Sequence, residues 1–228
     1  MIFPPSSIFP PANIDELIER STALAGLTLG EIAEQNNLLM PPDLQRHKGW
    51  VGQLLEQLLG ANAGSRAEPD FTHLGIELKT IPIDHRGLPR ETTYVCTVPL
   101  LGEAGYCWEE SWLYNKLKHV LWIPVEGERE IPLAARHIGM PLLWQPNREE
   151  LELLRRDWEE LMEMVRTGHV EEINARIGEV LQIRPKAANG RVLSEAIGET
   201  GERIMTNPQG FYLRKRFTRE ILGNNFIR

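Results

Sequence analysis

Long hydrophobic runs are missing from this chain: no apolar stretch approaches the roughly 20 residues that a bilayer-spanning helix needs, so a soluble, cytoplasmic protein is expected. Cysteine is scarce too. Cys96 and Cys107 are the only two, which makes neither a disulfide framework nor a zinc site. The histidines are scattered, none at a ligand spacing such as H-x3-H. No glycine-rich loop ends in Gly-Lys-Ser/Thr, and Ser65 lies in no nucleophile elbow. Nucleotide hydrolysis is therefore excluded, and any ATP requirement falls to a partner. Residues 1–11 lack a basic n-region and an unbroken apolar segment, and are expected to form a flexible leader rather than a signal peptide.

A positive charge balance is also absent, since the chain carries a net −7. That total hides a division. Residues 184–228 hold nine Lys/Arg against four Asp/Glu, a net of +5, which leaves −12 for residues 1–183. Residues 149–163 hold seven acids and two bases, a polar helix face expected to keep away from phosphate. A basic C-terminal end on an acidic body fits a nucleic-acid contact restricted to one region.

With 228 residues and 42% hydrophobic content the chain can bury a substantial core, as one domain or two joined lobes. Asn13-Ile14-Asp15-Glu16 and Thr28-Leu29-Gly30-Glu31 fit capping boxes, so short helices follow each. A helix over residues 48–60 places Trp50, Leu54, Leu58 and Leu55 inward and stops at Gly60. Strands are expected near residues 74–81, 92–99, 119–125 and 179–183, with a tight turn at His85-Arg86-Gly87. Asn147 opens a long amphipathic helix with Leu151, Leu154, Trp158, Leu161 and Val165 inward. A loop and helix follow Arg184, then a strand and helix after Gly210. This alternation reads as α/β or α+β, with plausible lobes at residues 12–145 and 146–228.

The chemistry concentrates in Asp70, six intervening residues, then Glu77-Leu78-Lys79. In a strand Glu77 and Lys79 share one face while Ile76, Leu78 and Thr80 take the other; Asp70 must return from the preceding turn to join them. Two carboxylates hold a hard cation such as Mg2+ through oxygen, and an ammonium positions water or steadies charge in the transition state. That is the residue set for metal-dependent phosphodiester hydrolysis; the bland alternative is an edge strand with solvated charges. Glu56, beside the apolar stripe of the preceding helix, is open between a second-cation ligand and a solvated position.

Several ordered blocks resemble one family: Lys48-Gly49-Trp50-Val51-Gly52, Ala63-Gly64-Ser65, the segment Leu74-Gly75-Ile76-Glu77-Leu78-Lys79, Val120-Leu121-Trp122-Ile123-Pro124, Asp157-Trp158-Glu159-Glu160, Arg184-Pro185-Lys186-Ala187-Ala188-Asn189 and Gly210-Phe211-Tyr212-Leu213. Spread over nearly the whole chain, they are similar to the MutH family of methyl-directed DNA mismatch repair endonucleases, relatives of PvuII-type restriction enzymes. The resemblance implies a mixed central sheet with flanking helices, in two arms around a DNA-binding cleft. It also implies a monomer that nicks the unmethylated strand of hemimethylated GATC sites with Mg2+. Activation would come from ATP-bound MutL after MutS finds a mismatch.

The resemblance further implies roles by position. Asp70, Glu77 and the Leu78 carbonyl would hold the metal with Glu56, and Lys79 would complete the catalytic set. Arg184 and Pro185 carry over to the recognition loop, joined by Lys186 and Asn189; the residues alone favour a capped helix start with solvated bases, and the resemblance reverses that preference. Tyr212 matches the residue that senses adenine methylation, where an unaligned reading gives a core tyrosine. Arg214, Lys215 and Arg216 would serve phosphates. Lys48, Gly49 and Lys116 fall near DNA or the active centre. Tyr94 stands where the family carries a phenylalanine that wedges into the minor groove, and His47 replaces an aspartate. Two rival classes remain at this point, a free-standing restriction endonuclease and a non-catalytic DNA-binding scaffold. The intact acidic pair with its lysine disfavours the second.

Overall fold

The computed structural model describes residues 8–42, 47, 49–64, 66–101, 107–174, 176–186 and 192–226. Lys48, Ser65 and Asn189 lie outside them. In chain order the elements are α1 (Ile14–Thr22), α2 (Leu29–Gln35), α3 (Trp50–Leu59), β1 (Glu77–Ile83), β2 (Thr93–Thr97), α4 (Trp112–Leu117), β3 (Val120–Glu126), β4 (Leu142–Trp144), α5 (Arg148–Arg166), β5 (Leu181–Pro185), β6 (Ser194–Ile197), β7 (Arg203–Thr206), β8 (Gln209–Leu213) and α6 (Lys215–Phe226). No described helix is long and apolar enough to cross a membrane.

Contacts divide the chain into two units, Met1–Glu91 with His119–Trp144, and Thr92–Lys118 with Gln145–Arg228. A linear split near residue 145 misses the excursion at residues 92–118. The physical reason is strand pairing: β2 forms its ladder with β8, with Thr93 opposite Leu213, which carries that segment into the second unit.

In the first unit β1 and β3 run parallel, and β4 adds antiparallel to β3, giving a mixed sheet. β3 is buried from Val120 through Val125, the near-continuous apolar run of a strand covered on both faces. Thr28 closes the anticipated capping box with Glu31 at the start of α2. The α3 stripe of Trp50, Leu54, Leu55 and Leu59 packs into one core with Leu17, Leu29, Ile32, Phe71, Ile76 and Leu78. Leu55 is buried as expected; Leu58 is only partly buried there, and Leu59 takes its place in the stripe. The strand anticipated at residues 74–81 starts at Glu77, because residues 71–76 close a tight turn. There the Phe71 N–H donates 2.9 Å to the Ile76 carbonyl and Gly75 takes φ 65°.

Residues 8–11 of the expected leader are held rather than loose. Pro11 is buried, the Arg20 guanidinium donates 2.8 Å to the Phe9 carbonyl, and His73 Nε2 lies 2.6 Å from the Pro11 carbonyl. Gly60, at φ 80°, makes room for this: a Cβ there would meet the Phe9 carbonyl oxygen at 2.6 Å.

The second unit is built on an antiparallel sheet ordered β2-β8-β5. α5 starts at an Asn147–Glu150 capping box and buries Leu154, Trp158, Leu161, Met162 and Val165. The helix expected after Arg184 is not found in the described residues. β5 continues to Pro185, and residues 194–206 form the β6–β7 hairpin, turned at Gly198 and at Gly201, whose φ is +83°. Antiparallel pairing of the two arms, Ser194 opposite Thr206 through Ile197 opposite Arg203, and a glycine-containing turn outweigh helix propensity there. Phe217, Ile221 and Leu222 of α6 are buried. A truncation after Thr218 would remove the buried Ile221 and Leu222 and so destabilise this unit.

Candidate active site and nucleic-acid interface

The first unit brings together the acid–acid–amine set read from the sequence. Strand alternation places Glu77 and Lys79 on one face of β1, where the Lys79 ammonium donates 2.5 Å to Glu77 Oε1. The pair is secluded, with 2% of the Glu77 side chain and 13% of the Lys79 side chain exposed. Asp70 returns from the turn as anticipated: its Oδ2 accepts from the Leu78 N–H at 2.9 Å, and its own carbonyl accepts from Asn62 and Ala63. Asp70 is thereby fixed to the residue between Glu77 and Lys79.

Asp70 and Glu77 can offer carboxylate oxygens and Leu78 its carbonyl oxygen, donors of the kind Mg2+ takes. Glu56 belongs to the α3 side of β1. An added Cβ on Gly52 would sit 3.9 Å from Glu56 Oε1 and 4.0 Å from Thr80 Oγ1. Glu56, Asp70 and Glu77 do not form a gathered trio. Among the described residues the ligand atoms that all lie within 4.8 Å of one another are those of His169, Glu172 and Glu199, in the other unit. Gly49, at φ 89°, begins α3 without a side-chain cap. With Gly52, Thr80, Arg90, Arg129 and Arg136 it lines a groove of about 620 Å3.

The second unit gathers four of the residues assigned to DNA. On the β2–β8–β5 sheet Tyr94 pairs directly with Tyr212, and Tyr212 with Gln182, two residues before Arg184. The two tyrosine rings meet edge to face, centroids 5.4 Å apart at 64°. The Arg184 guanidinium lies 5.6 Å from the Tyr212 ring centre and donates 3.1 Å to Thr92 Oγ1. The Lys186 ammonium lies 3.8 Å from the Tyr94 ring centre and also bonds its hydroxyl, which is 3.1 Å from Thr97 Oγ1. Tyr212 is half-buried, and burial, with Tyr94 beside it, pushes its phenol above the ordinary range against the opposing pull of Arg184. Tyr212 is thus neither a core residue nor a free surface ring.

Other positions stand apart from this cluster. Pro185 is exposed at the end of β5 opposite Gln209. Lys116 is half-buried on α4. Arg214 turns inward, with Nη2 donating 2.8 Å to the Ile177 carbonyl, while Lys215 is exposed and Arg216 pairs with Glu220 at 3.0 Å. Thr92, Thr97 and Gly210 complete the cluster without having been singled out, and only the three-dimensional pairing reveals them.

The chain matches the family described as DNA mismatch repair enzyme MutH over residues 59–157. It is 60% identical over 226 residues to the DNA mismatch repair protein MutH of Photorhabdus laumondii, covering 99% of this chain and 98% of that protein. Similarity to the DNA mismatch repair protein MutH of Serratia proteamaculans is 62% over 218 residues, 96% of each chain. For the Yersinia enterocolitica protein of the same name it is 60% over 218 residues, again 96% of each.

Proposed function

The chain belongs to the MutH family of DNA mismatch repair enzymes, and on that premise we propose that it nicks the unmethylated strand of hemimethylated GATC sites, as a Mg2+-dependent monomer of the cytoplasm activated by ATP-bound MutL downstream of MutS. The observation that carries the hydrolytic half is the Lys79–Glu77 pair on one face of β1 with Asp70 tied to the Leu78 N–H between them. Asp70, Glu77 and the Leu78 carbonyl would hold Mg2+ through oxygen, with Glu56 for a second ion; an ion held there would supply positive charge to polarise the phosphoryl group and lower the pKa of water.

The side chains supply the rest. Lys79 orients the attacking water and steadies charge building on the phosphate; the water oxygen bonds to phosphorus as the P–O3' bond breaks, leaving a 5'-phosphate, and the departing oxygen takes a proton from solvent to become the 3'-hydroxyl. The seclusion of Lys79 and Glu77 strengthens each electrostatic contact relative to bulk water. In the second unit Arg184, Pro185 and Lys186 address the GATC edges and Tyr212 meets the adenine whose methylation is read, with Asn189 of the same loop. Tyr94 stacks in the minor groove, and Lys48, Gly49, Lys116 and Lys215 serve the backbone. Arg214 holds its own loop through the Ile177 carbonyl and supports this surface from behind.

Stripping divalent ions with EDTA is expected to abolish nicking of a GATC duplex, and added Mg2+ to restore it. Calorimetry should detect Mg2+ binding that Glu77→Ala weakens at least tenfold, since one of the two carboxylates is lost. Nicking undiminished by chelation would remove the metal from the mechanism.

A further inference from the structure

Resting on the proposed reading of this surface, we infer that Tyr94 is a positioning residue for the two side chains beside it: its hydroxyl holds the Lys186 ammonium, its ring edge holds the Tyr212 ring, and Gly210 is the gap that lets both rings lie where they do. The hydroxyl serves two neighbours at once, bonding the Lys186 ammonium and standing 3.1 Å from Thr97 Oγ1. The same ammonium lies 3.8 Å from the ring centre, so ring face and hydroxyl together fix one cation. On its other side the Tyr94 ring abuts Tyr212 at 5.4 Å, across a directly paired position of the β2–β8 ladder.

Gly210, two residues before Tyr212 on β8 and opposite both Thr97 and Arg184, lies beneath this pair. A Cβ built there would come 2.9 Å from Tyr94 Cε2 and 3.1 Å from Tyr212 Cε2. Both contacts are to ring edges that can swing rather than to backbone, so an alanine would displace the rings without unfolding the sheet. Before it stacks on DNA, Tyr94 therefore already acts on recognition in the unbound protein. It sets Lys186 and Tyr212 in advance, so less side-chain freedom remains to be lost when DNA arrives.

A double-mutant cycle tests the hydroxyl. Tyr94→Phe removes one oxygen and keeps the ring. The ratio of affinities for a GATC duplex and a scrambled duplex should fall about tenfold, the scale of one hydrogen bond to a charged group. In a Lys186→Ala background the same change should cost nothing further. An unchanged ratio for Tyr94→Phe, or an equal loss in both backgrounds, overturns the inference. Gly210→Ala should shrink the preference for hemimethylated over fully methylated duplex at least fivefold while circular dichroism and thermal midpoint hold; an unchanged preference overturns the ring half.

A readout without DNA separates this inference from the functional reading. In the free protein the Nζ-methyl groups of Lys186, introduced with 13C by reductive dimethylation for NMR, should show an upfield ring-current shift that Tyr94→Leu abolishes. If the wild type ignores GATC while that shift is present and lost in Tyr94→Leu, the functional reading fails and the positioning role stands. Absence of the shift in the wild type overturns the positioning role.

Discussion

Replacing Lys79 by alanine will lower the rate of strand nicking by about a thousandfold or more, while the affinity for GATC duplex stays within about threefold. Lys79 is the amine paired with the acidic site, its ammonium 2.5 Å from Glu77 Oε1 and largely withdrawn from solvent. A cation so placed contributes little to holding an extended duplex, whose affinity comes from many phosphate contacts. Its leverage lies in the transition state, when negative charge grows on the phosphoryl oxygens and water must be aimed in line. Single-turnover nicking and a filter-binding isotherm on the same preparation separate the two effects. Because the variant leaves Glu77 buried without its partner charge, a Lys79→Ala/Glu77→Gln variant controls for misfolding. Wild-type nicking by a folded Lys79→Ala protein would sink the assignment.

Asp157→Ala will destabilise the second unit by about 3–5 kcal/mol, without touching any residue assigned to DNA or catalysis. Asp157 lies on the inward face of α5 among Leu154, Trp158 and Leu161, 1% exposed. Its Oδ2 accepts from three successive backbone N–H groups, Glu179 at 2.7 Å, Val180 at 2.6 Å and Leu181 at 2.9 Å. That carboxylate fastens α5 to the entrance of β5, and β5 leads directly to Arg184 and Lys186. Removing it strands three amide donors, two of them in buried bonds. Urea denaturation followed by tryptophan fluorescence measures the loss, since Trp158 is the next residue. Asp157→Asn should recover part of it, because an amide oxygen still accepts. A change below about 1 kcal/mol for the alanine variant would show that water replaces the carboxylate.

What the sequence disclosed follows from how local each signal is. The Glu77–Lys79 face was legible because strand alternation has period two and needs no partner; the return of Asp70 was legible because seven positions leave room for one turn. The α2 capping box, the start of α5 at Asn147 and the α5 stripe were legible for the same reason. By contrast the placement of residues 92–118 depends on β2 finding β8 more than a hundred positions later, and no local pattern announces that pairing. Asp157 looked like one more acid in a polar helix, although its spacing from Leu154, Trp158 and Leu161 put it on the apolar face. A charged residue on a buried stripe was the available clue. The hairpin at residues 194–206 was misread as helix because Ser-Glu-Ala-Ile and Arg-Ile-Met-Thr are too short for their period to be distinctive. Tyr94, Tyr212, Arg184 and Lys186 were each named singly; that they form one cluster over Gly210 required the register of three strands.

The most direct test of the central claim is cleavage of one GATC duplex methylated on a single strand, each strand carrying a different end label, in Mg2+ with and without MutL and ATP. The account predicts nicks confined to the unmethylated strand, stimulated by MutL with ATP, and nearly absent from a duplex methylated on both strands. Cutting of both strands regardless of methylation and partner, or stable binding with no cleavage at all, would contradict it.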